Sequence, residues 1–283
     1  MSSMSLSRRS FLLSSAILAW RMRAGASSRI PIGLELYSVR DAFQKDPEGT
    51  VRSVAEMGYE CVEFYAPYYE WTETQAKQMR KLLDQLGIRC YSTHNDYEYF
   101  GADKIQRARD LNLILGSKYL VMASVGEDRS ADWKAVSDTL NTAAEELDQF
   151  GLKVGFHNHQ PEFIAVNGMR PIETLAKNTK FSVMFQLDVG TCLEAGSDPV
   201  AWIEANPGRI RSLHLKDWSS DPAKRYKVLF GEGDANWKKI FAAAESVGGV
   251  EYYLLEQEGS RFSEFETARR CLDSFRTTHG PAF

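Results

Sequence analysis

The sequence predicts an α/β fold, a single (β/α)8 TIM barrel, and three observations carry that prediction. Eight short β-rich runs alternate with amphipathic stretches of helical period, which means a parallel sheet covered by helices. No linker or low-complexity segment interrupts the alternation, so it belongs to one domain. No GxGxxG follows the first strand, and eight repeats in a chain of 283 residues fit a closed barrel better than a doubly wound sheet.

Ile30 to Tyr37 reads as the first strand, with a helix around Glu48 to Met57. Tyr59 to Tyr65 is the second strand, followed by a helix from Thr72 to Leu86. Ile88 to His94 is the third, with Lys104 to Leu115 helical behind it. Lys118 to Ala123 is the fourth strand and Trp133 to Phe150 its helix. Lys153 to His157 is the fifth, and Pro171 to Asn178 is helical. Phe181 to Asp188 is the sixth; a helix around Pro199 to Ala205 leads to the seventh, Ile210 to Leu215. A long loop then ends in Gly231-Glu232-Gly233, Trp237 to Val247 is helical, and Tyr252 to Glu256 is the eighth strand. Gly58, Gly87, Gly116 and Gly151 each stand just before a strand, where a glycine closing a helix belongs.

With 43% hydrophobic and 25% charged residues, the composition is that of a soluble globular protein. The net charge of −4, with no basic cluster past the N-terminus, argues against a nucleic-acid partner. Cys61, Cys90, Cys192 and Cys271 form no CxxC pair, so zinc-finger and redox readings gain nothing from them. Their even number permits disulfides without requiring any, and Cys61 and Cys90 fall in strands, where a buried thiol is the ordinary outcome.

Residues 1–26 read as a twin-arginine signal peptide ahead of a barrel domain spanning 28–283. Arg8-Arg9 precede an apolar run ending at Trp20, and Ala24-Gly25-Ala26 offers an A-x-A cleavage site. That run is shorter than the roughly 20 residues a membrane span needs. The expectation is a periplasmic or otherwise exported protein, translocated folded, with no stable membrane anchor after cleavage.

In such a barrel, chemistry sits at the C-terminal ends of the strands, and the polar residues gather there. Glu35 and Tyr37 end the first strand, Glu63 the second and His94 the third. His157-Asn158-His159 end the fifth, Asp188 the sixth, His214 the seventh with Lys216 and Asp217 after it, and Glu256 the eighth. Singly, each has an ordinary structural role open to it, such as an N-cap for Asp188 or a cation partner for Glu35. Together, carboxylates and neutral imidazoles converging on one mouth call for a cation. The mixed oxygen and nitrogen set suits one divalent metal ion: Mn2+, Mg2+, Co2+ or Zn2+. His157 and His159 are two apart, so both can point inward if the strand stays regular.

The motifs LELYSVRD, THND, GFHNHQPEF, FQLDVG, LHLKD, GEG and LLEQE, in order from about residue 30 to 275, resemble the sugar phosphate isomerase/epimerase family of the xylose isomerase-like TIM barrel superfamily. In that group a divalent metal is held by Glu, Asp, His and Glu from strands five to eight. The resemblance implies Asp188, His214 and Glu256 as the last three ligands. Where relatives read E-N-H, this chain reads His157-Asn158-His159, so His157 is the implied replacement, with His159 as the alternative.

The resemblance implies a sugar isomerase or epimerase that removes a proton next to a carbonyl polarised by the metal. His157, Glu256, His94 and Glu162 are its catalytic candidates, with Glu63 and Lys216 as further possible bases. Glu35, Tyr37, Glu63, His94, His159 and Lys216 are candidates for binding a small-molecule carbohydrate or cyclitol. Trp218 and Tyr65 are candidates for stacking on a sugar face. The lost strand-five glutamate keeps a lyase open, either inosose dehydratase-like or a 3-keto-glycoside eliminase/hydratase. It also keeps open a non-catalytic sugar-binding barrel. Five histidines and an acidic balance count against an abasic-site endonuclease. A homo-oligomer is left open.

Overall fold

The computed structural model describes residues 29–126, 132–166 and 168–279; the expected signal peptide lies outside them. Eight strands form a closed barrel in sequence order. They are β1 (Ile32–Glu35), β2 (Cys61–Phe64), β3 (Arg89–Asp96), β4 (Tyr119–Ser124), β5 (Lys153–His157), β6 (Met184–Asp188), β7 (Ile210–Leu215) and β8 (Tyr252–Leu255). All pairings are parallel, and Gly33 of β1 lies opposite Cys61 of β2 on one side and Leu254 of β8 on the other. The ring therefore leaves no strand edge unpaired.

The helices are α1 (Arg40–Lys45), α2 (Pro47–Met57), α3 (Glu73–Leu86), α4 (Ile105–Leu115), α5 (Trp133–Asp148), α6 (Pro171–Asn178), α7 (Val189–Glu194), α8 (Pro199–Ala205), α9 (Trp237–Ala243) and α10 (Glu264–His279). Local chemistry sets their ends. Thr72 and Gln75 form a reciprocal capping box at the start of α3. Gly58, Gly87 and Gly116 close α2, α3 and α4 with φ of 94°, 69° and 76°, the left-handed region that favours glycine.

Several boundaries differ from the sequence reading: β1, for example, stops at Glu35, with Tyr37 in the 3-10 turn that follows. β6 starts at Met184 rather than Phe181, whose ring is exposed. The helix after Asn236 stays α-helical only to Ala243 and then loosens into a π-turn over Ala244–Gly248. His279 ends α10, with its Nε2 2.7 Å from Glu245. The short α1 and α7 were not legible, because α1 follows a 3-10 turn after β1, α7 follows β6 directly, and both are too brief for a helical period to show.

Alternation along the strands divides the barrel interior into two tiers. The lower tier is apolar, built from Cys61, Tyr119, Val121, Met184, Tyr252 and Leu254, with Tyr91 packed against it. It is tightly filled: a Cβ on Gly33 would lie 2.4 Å from the Cys61 sulfur. The next inward residues upward are Glu63, Gln186 and His214, and there the chemistry begins. All four cysteines are buried and free, so no disulfide forms among the described residues. No helix among the described residues is long and apolar enough to cross a membrane.

Candidate metal centre and active site

At the mouth, His157, Asp188, His214 and Glu256 each offer a ligand atom, all within 4.8 Å of one another, and all four residues are buried. His157 is the last residue of β5 and Asp188 the last of β6. His214 lies one residue from the end of β7, and Glu256 directly follows β8. Asp188 also caps α7: its Oδ1 accepts from the Thr191 amide at 2.8 Å, leaving Oδ2 for the mouth.

The donor set fits a cation. Asp188 Oδ2 and His157 Nδ1 are buried without a hydrogen-bond partner among the described residues. A buried carboxylate oxygen with no hydrogen-bond donor is costly unless a cation satisfies it, and the Lys216 ammonium, 3.8 Å away, is beyond hydrogen-bond distance. Burial, and then Glu256, raise the Asp188 pKa to about 6 against the pull of Lys216. His157 is held well below the ordinary imidazole range by burial and by His214 and His94. It is therefore neutral, the form that ligates metals.

His214 sits between two carboxylates, with Nδ1 2.5 Å from Glu256 Oε2 and Nε2 3.3 Å from Glu63 Oε2. Burial opposes its charged form, but those two partners outweigh it and lift the pKa to about 10. His214 is thus the shared partner of both carboxylates.

Beneath the cluster lies a network closed on itself. Glu63 is fully buried; its Oε1 accepts from Ser92 Oγ at 2.6 Å and Gln186 Nε2 at 2.7 Å. Burial opposes its charge, but His94 and His214 hold it well below the usual carboxylate range. His94 Nε2 faces two acceptors, Gln186 Oε1 at 2.7 Å and Glu63 Oε2 at 3.0 Å. The Gln186 assignment is consistent, because its amide nitrogen already donates to Glu63. Nε2 must therefore carry a proton, which leaves Nδ1 as the one ring nitrogen that can accept one.

Lys216 extends into the same mouth and is buried. Its ammonium lies 3.2 Å from Glu256 Oε1 and 3.8 Å from Asp188 Oδ2, and it also pairs with Glu258. Burial alone would lower its pKa, yet these carboxylates drive it well above the ordinary value. Lys216 is a fixed positive charge, unsuited to the role of base.

Glu35 is buried, with one oxygen accepting from the Tyr37 amide and the other lacking a partner among the described residues. Burial, then Glu256 and Glu63, push its pKa well up. Tyr37 is exposed, stands edge-on to Tyr65 at 5.2 Å between centroids and carries the Arg40 guanidinium over its ring.

His159 stands outside the ligand cluster. β5 ends at His157, and the next side chain, Asn158, clips the backbone of Asp188 through both its amide atoms. Regular alternation stops there, leaving His159 exposed at the rim with its ring centroid 5.0 Å from that of His157. Glu162, three residues on, accepts from the His159 amide at 2.7 Å. Burial raises its pKa to about 7.

Sequence reasoning missed Asn158, Gln186, Ser92 and Glu258 as parts of the site. The signal for Gln186 was its position two residues before Asp188, on the same face. Asp217 has a different job: its Oδ2 accepts from the amides of Gly231 and Gly233 and from the Trp237 indole. It ties the GEG turn to β7, and Glu232 in that turn pairs with Arg261.

A family model for the xylose isomerase-like TIM barrel matches residues 51–277. The chain belongs to that family. It resembles an inosose dehydratase from Clostridium beijerinckii, 25% identical over 206 residues, covering 67% of this chain and 64% of the relative. The match thus spans a little under two thirds of that relative's length. The rhizopine catabolism protein MocC of Rhizobium meliloti is 24% identical over 72% of this chain and 68% of its own. A solved sugar phosphate isomerase/epimerase from Parabacteroides distasonis superposes with a TM-score of 0.74 and 26% identity, covering 90% of this chain and 96% of that one. The IOLI protein, solved with a bound zinc atom, shares the fold at a TM-score of 0.69 and 14% identity, over 88% of this chain and 97% of that one.

Proposed function

We propose that this protein is a divalent-metal-dependent enzyme that removes a proton next to the carbonyl of a small carbohydrate or cyclitol, and that it completes an elimination. One observation carries the first part: His157, Asp188, His214 and Glu256 converge as a buried donor set, with His157 Nδ1 and Asp188 Oδ2 lacking a hydrogen-bond partner among the described residues. A divalent ion held there would polarise a substrate carbonyl and stabilise the charge that develops when its neighbouring carbon loses a proton.

The chain's own groups divide the remaining work. Glu63 and Gln186 hold the proton on His94 Nε2, so His94 Nδ1 is the base that takes the substrate proton. Lys216, fixed in its charged form, holds a substrate oxygen by donating to it. Glu162, with its pKa near 7, is a carboxylic acid under mildly acidic to neutral conditions and can protonate a departing group. The elimination balances: the carbon next to the carbonyl loses its proton to His94, that electron pair becomes a C=C bond, the bond to the β-oxygen breaks, and that oxygen takes the Glu162 proton.

The elimination is favoured over isomerisation by the strand-five residue. Isomerases that work on opposite faces of an enediolate use two carboxylates, and here His157 stands in the ligand cluster instead of one. The names of the dehydratase relatives point the same way. Isomerisation or epimerisation is the second reading, supported by the resemblance to the P. distasonis protein.

The test is to incubate metal-loaded protein with 2-keto cyclitols and 3-keto sugars in D2O and follow products by NMR and mass spectrometry. Loss of water or of a glycosidic substituent supports elimination; deuterium beside an intact carbon skeleton supports isomerisation. Proton exchange with none of them, together with no metal uptake and unchanged behaviour of Asp188→Ala, would overturn the enzymatic reading. For elimination, kcat falls as pH rises through about 7, because deprotonated Glu162 cannot serve as the acid.

A further inference from the structure

A cleft of about 490 Å³ opens beside the candidate metal centre, and of its walls the reaction proposed above uses only Glu162. Its walls are Trp133 at the start of α5, Phe156 on the outer face of β5, Pro171 at the start of α6, and Pro161, Ile164 and Val166 from the segment between β5 and α6. Trp133 and Phe156 meet edge to face at 6.2 Å between centroids, forming an aromatic corner. Ile164 and Val166 are substantially exposed, and Met169, held across from Val166 by a two-way backbone bridge, extends the same apolar lip.

The cleft and the catalytic mouth share a boundary. His159 and Glu162 line the cleft, and the His159 ring lies 5.0 Å from that of the ligand candidate His157. A molecule bound at the metal centre can therefore reach into the cleft past these two residues.

Sugar and cyclitol rings carry hydroxyl groups around their whole periphery. The side chains of Phe156, Pro161, Ile164, Val166 and Pro171 offer no hydrogen bond and Trp133 only its indole N–H, so a second sugar ring lying against them would lose hydration at most of its hydroxyl groups without replacement. A cavity in the size range of small-molecule sites, apolar along most of its walls and polar at Ser124, His159 and Glu162, suits an apolar ring attached to the polar part of the substrate. We propose that the cleft receives an aromatic substituent carried on the carbohydrate, so that the substrate class is aryl-substituted sugars rather than free sugars or inositols. This rests on the reading of the mouth as a carbohydrate site. It also places Glu162 at the junction between ring and substituent, where a leaving oxygen would need a proton.

Two measurements on the full-length protein test it. The first uses 2-naphthol alone as the probe, with saturation-transfer NMR and quenching of tryptophan emission as readouts. Saturable binding is expected, weakened about tenfold or more in Ile164→Glu, whose side chain is exposed and whose change leaves the core intact. Trp133→Ala is the second variant, and binding should persist in Asp188→Ala, where the metal centre is altered. The second compares phenyl and methyl β-D-glucopyranosides and their 3-keto forms as ligands. The aryl compounds should bind about tenfold tighter, an advantage that Ile164→Glu removes. No saturable naphthol binding, or binding that both cleft variants leave unchanged, overturns the cleft as an aromatic site. Naphthol binding without any aryl advantage, including the case in which no glycoside binds, overturns its link to substrate. If the cleft results hold while no keto sugar exchanges a proton, the proposed reaction fails and the aromatic site stands.

Discussion

Glu63 contributes at the scale of a single residue by setting where protons reside. Its two oxygens accept from Ser92 and Gln186 and contact His94 and His214, so one carboxylate fixes a base and a ligand candidate together. Replacing it with glutamine turns one acceptor into a donor facing the Gln186 amide and removes the charge that favours Nε2–H on His94. For Glu63→Gln we expect kcat to drop by about 10²- to 10³-fold with KM little changed, alongside weaker metal retention. Steady-state kinetics and metal analysis of the dialysed protein check this; a drop confined to KM would remove Glu63 from the positioning role. The sequence made Glu63 visible as a strand-end carboxylate but not its depth. A β-strand pattern tells which face a residue takes, whereas the tier it occupies depends on how neighbouring strands are staggered. β2 and β3 shift register between Val62 and Glu63, and no single-strand pattern reveals that.

Among the connecting elements, the loop from β7 to α9 owes its shape to one carboxylate. Asp217 gathers four N–H donors: the amides of Trp218, Gly231 and Gly233 and the indole of Trp237. A Cβ on Gly233 would lie 2.1 Å from Asp217 Oδ1, so the close approach requires glycine there. Asp217→Asn points an amide group at donors it cannot satisfy and should cost roughly 2–3 kcal/mol. Hydrogen exchange should then quicken across residues 218–237 while protection of the strands persists; uniform loss of protection would contradict a loop-level role. The GEG turn was legible as a motif, and its glycines follow from this clamp. By contrast, the diversion after His157 was not legible. It depends on Asn158 finding the backbone of Asp188, thirty residues away in sequence, and no local preference encodes that meeting.

For the whole molecule, the alternation of strand and helix was readable throughout because burial on both faces of a parallel strand leaves short, nearly continuous apolar runs. The convergence of His157, Asp188, His214 and Glu256 was also readable, since closing eight strands in order brings their ends to one mouth. The network below, the cleft beside it and the separation of His159 from the cluster required coordinates. The two tiers of the barrel predict one more result. His157→Glu alters only the upper tier, so the metal-loaded variant should melt within about 5 °C of the parent. It should also shift metal preference about tenfold or more from Zn2+ toward Mg2+, since carboxylate oxygen suits the harder ion. Calorimetric titration with both ions decides it, and an unchanged preference would remove His157 from the coordination sphere. If the melt holds, the apolar tier of Cys61, Tyr119, Met184, Tyr252 and Leu254 acts as a foundation indifferent to what is built on it. Mutations at the strand ends could then explore new reactions one at a time, each tested by selection on activity without first being filtered for folding.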